Sequence, residues 1–142
     1  MFSKEESKKL IQEFWTSFGK EYPHKWILYN TKIKDLQLKF TFTTKFAQVS
    51  MDIVSQDEII RAYYFEKLIA LKTILKTEYL REAEFNKNYE LPEGKAISRV
   101  YLQLDNVSIH NKKDWPGVYL FLQAKMQLLE DFFLEHSSFL EA

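Results

Sequence analysis

The sequence has no cysteine and only three residues each of glycine, proline and histidine, and each shortage argues against a class of function. Without cysteine, neither a disulfide framework nor a thiolate site can form, which fits a reducing cytoplasm. Three separated glycines are too few for the phosphate-binding loops of common nucleotide enzymes. The histidines are scattered and have no second ligand at zinc spacing, so we expect no metal and no cofactor.

A net charge and a long apolar run are also missing. Twenty basic and twenty acidic side chains cancel, so the chain has no overall field that would attract polyanions or an anionic membrane. No apolar run approaches the roughly 20 residues that cross a bilayer, and no membrane partner is predicted. With 142 residues, 46% of them hydrophobic, the chain is long enough to bury one core. We predict a single α+β domain, cytoplasmic, over residues 1–142.

The N-terminal segment carries the pattern of an amphipathic helix. Ser3 and Glu6 form a capping box, in which each side chain satisfies a backbone N–H at the start of the helix. The helix should therefore begin near Lys4, and Gly19 is a natural C-terminal stop. The apolar residues between these limits are spaced by one, three or four, which places them on one face.

Two further helices are predicted. Ser55 and Glu58 form a second capping box, which opens a helix of about 20 residues that ends near Leu75. The last helix has Asp114 at its N-cap position and extends to about His136. Its apolar arc is broad, which implies either a central position in the fold or a partner chain, and a homodimer through this helix is one expectation.

Alternating apolar and polar residues predict strands. Two such runs, Leu36–Thr43 and Ala47–Ile53, form a hairpin, and a second hairpin joins Phe85–Leu91 to Ile97–Leu104 across a Pro-Glu-Gly turn. The short run Trp26–Tyr29 is either a fifth strand or a packed loop. The predicted fold is α+β: one layer of mostly antiparallel sheet, with two hairpins and four to five strands, packed with three helices in the order α-β-β-(β)-α-β-β-α.

The stretch 97–122 concentrates the residue types that carry chemistry. On its strand, the period of two places Arg99 and Tyr101 on a face away from the more apolar one. The loop that follows holds His110 and Asn111, but no oxyanion hole or glycine-flanked nucleophile accompanies them. Capping explains Asp114. No catalytic residue is assigned, and the sequence favours an interaction module over an enzyme.

A metal-dependent nuclease is the enzymatic alternative, because the early order of helix, strands and helix resembles the core of PD-(D/E)XK nucleases. Those enzymes hold a divalent cation with carboxylates on adjacent strands and place a lysine two residues after one of them. Here Gln37 and Lys39 have that spacing, and Asp52 lies on the neighbouring strand with the same type of polar face. Gln is a poor Mg²⁺ ligand, so the three residues form at most a degenerate site.

A basic segment favours an anionic partner. Residues 20–45 contain six lysines against Glu21 and Asp35, and Trp26 and Tyr29 lie among them. Lysines bind phosphates and aromatic rings stack on bases, so this composition is compatible with nucleic-acid binding.

The chain also resembles a known family along essentially its whole length. The matching features are FWTSFG at 14–19, KWILYNTKIK at 25–34, Asp52-Ile53, and SRVYLQL followed by SIHNKKDWP at 98–104 and 108–116. They are similar to an uncharacterised bacterial family of domains of unknown function, found alone or C-terminal to PD-(D/E)XK nuclease-like domains. The resemblance implies a nucleic-acid or defence context by association, and it supplies no catalytic residue.

We therefore expect a non-enzymatic interaction domain that contacts nucleic acid or another anionic partner. The candidate binding face combines the family's polar positions with the neighbouring loop residues: Asn30, Lys32, Arg99, His110, Asn111, Lys112 and Trp115. The alternatives are the divergent nuclease and a small-molecule-binding domain with a pocket between the sheet and the last helix, near Trp115.

Overall fold

The computed structural model describes residues 2–142, which contain four α-helices and four strands. The fold class is α+β, as predicted, although one helix more than expected is present. The helices are α1 (Lys4–Glu21), α2 (Glu58–Ala70), α3 (Lys72–Glu78) and α4 (Trp115–Glu141); the strands are β1 (Leu36–Phe42), β2 (Phe46–Ile53), β3 (Glu84–Glu90) and β4 (Ala96–Asp105).

The four strands form one antiparallel sheet in the order β1-β2-β4-β3. The hairpins β1–β2 and β3–β4 are both confirmed. The two hairpins join through β2 and β4, which form the centre of the sheet; all of β2 pairs with residues 98–105 of β4. A β-bulge interrupts the pairing of β3 with β4 between Asn86 and Tyr89.

The helices pack on the apolar face of this sheet. Phe14 of α1 is fully buried, with its ring centroid 4.7 Å from that of Phe42 on β1 and 5.3 Å from that of Trp115 on α4. Phe65 of α2 packs in the same way on Phe85 of β3. Full burial of a phenylalanine contributes about 1.5–3 kcal/mol, so these contacts are a major part of the stability.

The first helix begins as predicted but ends later. The Ser3 side chain accepts from the Glu6 N–H, and the Glu6 carboxylate accepts from the Ser3 N–H, so the capping box is confirmed. Gly19 does not stop the helix, which continues to Glu21. The stop comes from Pro23, because its ring disfavours a helical conformation in the residue before it.

The predicted second helix is two helices. Its N-cap is Asp57 and not Ser55, since the Asp57 carboxylate accepts from the N–H groups of Ile59 and Ile60. The helix then breaks at Leu71, whose N–H bonds to the Leu68 carbonyl in the tighter i→i+3 pattern before α3 begins. The apolar pattern continues unbroken across this turn, which is why periodicity alone predicted one helix.

The start of the last helix also differs from the prediction. Asn111 caps a 3₁₀ turn at Lys112–Asp114, and the Asp114 carboxylate accepts from the Ser108 N–H at 2.9 Å instead of capping α4. The apolar arc of α4 is buried mainly within this chain, so a central position explains most of it. Within residues 2–142, no helix is both long and apolar enough to cross a membrane.

The segment between α1 and β1 is a loop, so Trp26–Tyr29 is not a strand. Glu130 of α4, which is 4% exposed, fixes this loop by accepting from the Ile27 N–H and from His24 Nε2, both at 2.9 Å. The Leu28 carbonyl accepts from the Leu38 N–H of β1. The loop therefore covers the outer edge of β1, which would otherwise present unpaired backbone groups.

Replacing Glu130 tests this anchor. Glu130→Gln keeps the side-chain shape but removes the anionic acceptor, and we expect a loss of about 1–3 kcal/mol in the free energy of unfolding. Urea denaturation measures the loss, and hydrogen exchange should be faster at the amides of residues 24–31. Glu135→Gln, at an exposed position of the same helix, is the control; equal losses in the two variants would contradict the anchoring role.

Candidate functional site

The face of the sheet opposite the helices carries polar side chains, which are aligned across the strands in three rows. The strand register aligns Gln37, Asp52, Arg99 and Asn86 in one row, and Lys39, Ser50, Tyr101 and Glu84 in the next. Thr41, Gln48 and Gln103 form the third. The register thus joins Arg99 of the predicted binding face to Gln37, Lys39 and Asp52 of the nuclease alternative.

The centre of this polar face is an ion pair between Arg99 and Asp52. Arg99 Nε and Nη2 donate to the two carboxylate oxygens of Asp52, each at 2.8 Å, and the side chains are 3% and 1% exposed. Burial lowers the pKa of Arg99, but the hydrogen bonds and charge of Asp52 outweigh it and leave that pKa above its ordinary value. Arg99 is therefore a cation that is bonded to both carboxylate oxygens of Asp52.

Further contacts connect the pair to the neighbouring strands. Arg99 Nη1 donates to Gln48 Oε1 at 2.8 Å, and Gln48 Nε2 in turn donates to Gln103 Oε1 at 2.8 Å. The Tyr89 ring covers the guanidinium, with its centroid 4.4 Å from Arg99 Cζ. All three guanidinium nitrogens of Arg99 are thus bonded within the sheet.

The side chains of the second row make no hydrogen bond to the Arg99–Asp52–Gln48 network. Ser50 Oγ is fully buried without a hydrogen-bond partner, the one such side-chain atom in residues 2–142. Its cross-strand neighbours are Lys39 and Tyr101. Burial and the adjacent Glu84 carboxylate raise the pKa of Tyr101 to about 12, so this phenol is neutral at physiological pH.

This arrangement does not favour the predicted metal-binding role of Asp52. Gln37 lies directly opposite Asp52, and Lys39 is two residues further along β1, so the three residues do share one face. However, Arg99 occupies both Asp52 oxygens. No group of three or more His, Asp or Glu side chains in residues 2–142 lies close enough together to hold a metal ion.

A different site lies at the β1 edge of the sheet, beneath the loop. A cavity of about 290 Å³ opens there, with an aromatic and apolar lining: Trp15, Leu28, Tyr29, Leu38 and Phe40, together with Gln37 and Lys39. Tyr29 is 81% exposed at its rim. The cavity offers an aromatic and apolar surface, with the Gln37 amide and the Lys39 ammonium group beside it.

The loop that carries Tyr29 has an unusual backbone conformation. Leu28, Lys32 and Asp35 all have positive φ angles, of 49°, 68° and 65°, although none of them is glycine. Such conformations are unfavourable for residues with a Cβ and persist where surrounding contacts enforce them. Here the Glu130 anchor and the Leu28–Leu38 bond do so.

The structure separates the members of the predicted binding face. Arg99 is buried in the sheet, whereas Asn30 and Lys32 are exposed in the loop at the β1 edge. His110, Asn111 and Lys112 lie elsewhere again, in the segment before α4, so the seven residues form no common cleft.

The residues before α4 contact the N-terminal helix. His110 Nε2 lies 2.8 Å from Ser7 Oγ, and Lys112 pairs with Glu13 at 2.7 Å. Asn111 caps the 3₁₀ turn.

Trp115 belongs to the hydrophobic core: it is 5% exposed, and its Nε1 donates to the Ile109 carbonyl at 3.0 Å. Because Trp115 packs against the core, it does not open the pocket expected beside it.

Two important residues were not singled out from the sequence as members of the candidate site. Gln48 was placed only on the polar side of its strand, since nothing in a single sequence shows that β2 will pair with β4. Tyr29 was noted among the lysines but not placed at a cavity. Its sequence signal is the aromatic residue within a lysine-rich stretch; the left-handed Leu28 beside it carries no signal.

Comparison with protein-family models matches residues 10–137 to a family described as "Domain of unknown function (DUF4268)". A search of the curated proteins found no match. A search of the solved structures found none either. The resemblance to a family of domains of unknown function is confirmed, while the bacterial source and the nuclease-like neighbour that it implied stay predictions.

Removing one member of the buried ion pair should be strongly destabilising. Asp52→Ala leaves the Arg99 cation buried and unpaired, and we expect a loss of about 3–5 kcal/mol in the free energy of unfolding. The double variant Asp52→Leu/Arg99→Met, which removes both charges, should lose less than Asp52→Ala alone. Urea denaturation of the single and double variants measures the coupling. Additive losses would show that the pair is not coupled.

Proposed function

The chain belongs to the DUF4268 family of domains of unknown function, and we propose from its geometry that it is an interaction domain that binds single-stranded nucleic acid at the β1 edge. The observation that carries this proposal is the exposed ring of Tyr29, held by a left-handed backbone over a cavity lined by Trp15 and Phe40. A protein gains little from fixing an aromatic ring in solvent. A ring that stacks on a base needs such a position.

The charges of the segment that contains Tyr29 support an anionic partner. All six lysines of residues 20–45 are exposed, and none of them forms an ion pair. Lys39 lies at the cavity itself. Because the chain as a whole is neutral, only this local excess attracts phosphates, and binding should weaken steeply as salt is added.

The stacking geometry favours single strands over duplexes. A base stacks on the exposed Tyr29 ring only when it is unstacked from its neighbours, and a duplex opens a base only at the cost of pairing and stacking energy. The Gln37 amide beside the cavity can then donate to and accept from the edge of the base.

The divergent nuclease has less support. Its general requirement is a carboxylate free to bind a cation, whereas Asp52 is bonded through both oxygens to Arg99. The pocket for a small-molecule ligand was expected near Trp115. The cavity at the β1 edge suits such a ligand better, and an aromatic small molecule would occupy the same space there as a base.

The test is fluorescence anisotropy with a labelled single-stranded oligonucleotide and with its duplex. Tyr29→Ala should cost about 1–3 kcal/mol of binding free energy, the usual value of one stacked base, whereas Tyr29→Trp should retain most of the affinity. Lys39→Gln should lower the slope of log affinity against log salt concentration by about 0.7. Lys95→Gln, in the exposed turn before β4, is the matched control and should leave the slope unchanged.

Two results would contradict the proposal. One is the absence of binding to the single strand at low ionic strength, and the other is equal affinity of the wild type and Tyr29→Ala. Tighter binding to the duplex than to the single strand would retain the anionic partner but remove the stacking mechanism.

A homodimer through α4 would have to use a small surface. Leu120, Leu134 and Phe139 are 62%, 57% and 45% exposed, and the first two lie on the same side of the helix, about four turns apart. Asp131, which accepts from Gln127, interrupts that side. If this surface mediates dimerisation, Leu134→Glu should convert a dimer to a monomer in analytical ultracentrifugation, and a wild-type monomer at all concentrations would contradict it.

A further inference from the structure

A second arginine is buried under quite different conditions from Arg99. Arg61 of α2 is 7% exposed, and its one hydrogen bond is from Nη1 to the Ser55 carbonyl, at 3.0 Å. No carboxylate in residues 2–142 lies within ion-pair distance of it. Arg61 therefore keeps a buried charge without a counter-ion.

This position is energetically unfavourable for a cation. Burial of an unpaired charge is costly, because the charge loses most of its water and gains no opposite charge in return. Arg61 is the fourth residue of α2, close to the positive end of the helix dipole. Arg61 gains from the fold a single hydrogen bond to a backbone carbonyl, which does little to offset this cost.

Arg61 borders a cavity, and part of its guanidinium is left without a hydrogen bond. Nε and Nη2 of Arg61 have no acceptor, yet they are not sealed from solvent, because Ser50 Oγ is the one fully buried side-chain atom without a partner in residues 2–142. Arg61 lines a cavity of about 620 Å³ between α2 and the bulge of β3. Lys87 and Asn88, which belong to the bulge and lie outside the regular strand pairing, line the opposite side.

We propose that this cavity binds an organic carboxylate, with Arg61 as the buried anion-binding residue and Lys87 as the second cation. A guanidinium presents two parallel N–H donors that match the two oxygens of a carboxylate. Ile59 and Tyr63, which also line the cavity, offer apolar surface for the hydrocarbon part of the ligand.

The remaining lining residues disfavour ligands that carry more than one negative charge. Glu58 and Glu66 border the cavity and repel dianions and polyanions. This site is therefore distinct from the β1 edge: it does not take nucleic acid, and it does not depend on the function proposed above.

The probe for the site is N-acetyl-leucine, with the uncharged N-acetyl-leucinamide as the matched ligand. In an NMR titration, the acid should shift the amide resonances of residues 58–66 and 87–88, and the amide ligand should not. Arg61→Met keeps the length of the side chain but removes its charge, and should weaken binding of the acid about tenfold or more, as expected for the loss of a charge-assisted hydrogen bond. Lys87→Gln, at an exposed position, should weaken binding less.

Thermal unfolding separates a binding role from a structural one. If Arg61 is retained for a ligand, Arg61→Met should unfold at the same temperature as the free wild type or a higher one, because it removes an unpaired buried charge. The proposal is overturned if the acid produces no shifts at millimolar concentration, if the acid and the amide ligand bind equally, or if Arg61→Met unfolds well below the wild type.

Discussion

The ion pair between Arg99 and Asp52 is the interaction on which the sheet depends. The helices pack on one face, and the centre of the other face is buried although it consists of polar groups. Arg99 joins β4 to β2 through Asp52 and Gln48, and stacks on Tyr89 of β3. A slip of one residue between β2 and β4 would turn Asp52 towards the apolar face, so the pair also specifies the register.

Because Arg99 and Asp52 satisfy each other, the centre of the polar face has little capacity left for a ligand. Free groups occur instead at its margin, where Gln37 and Lys39 continue the same rows onto the edge strand. An edge strand needs protection against pairing with another chain. The loop gives this protection by one backbone bond to Leu38, and the same bond places Tyr29 over the cavity. The same loop therefore both protects the edge of β1 and holds the Tyr29 ring at the cavity.

The sequence predicted most of the helices and strands, because these depend on local pattern. A period of two placed Arg99 and Asp52 on polar faces of their strands, but it could not pair them, because their strands lie 47 residues apart in the chain. The capping motif at Ser55 was overridden by Asp57, whose carboxylate reaches two N–H groups. The break at Leu71 has neither proline nor glycine to mark it. The Asp57 cap is itself a local interaction that competes with the capping box at Ser55, whereas the pairing of Arg99 with Asp52 depends on tertiary contacts that local pattern does not report.

The contrast between the two buried arginines shows why a formal net charge of zero says little about local charge. Charge balance over the whole chain coexists with two ion pairs of arginine or lysine in residues 2–142, of which only Arg99–Asp52 is fully buried on both sides. The lysines of residues 20–45 and the guanidinium of Arg61 stay without counter-ions while Glu58 and Glu66 lie nearby unpaired. A sum of formal charges over the chain therefore does not tell which cations are free to bind an anion.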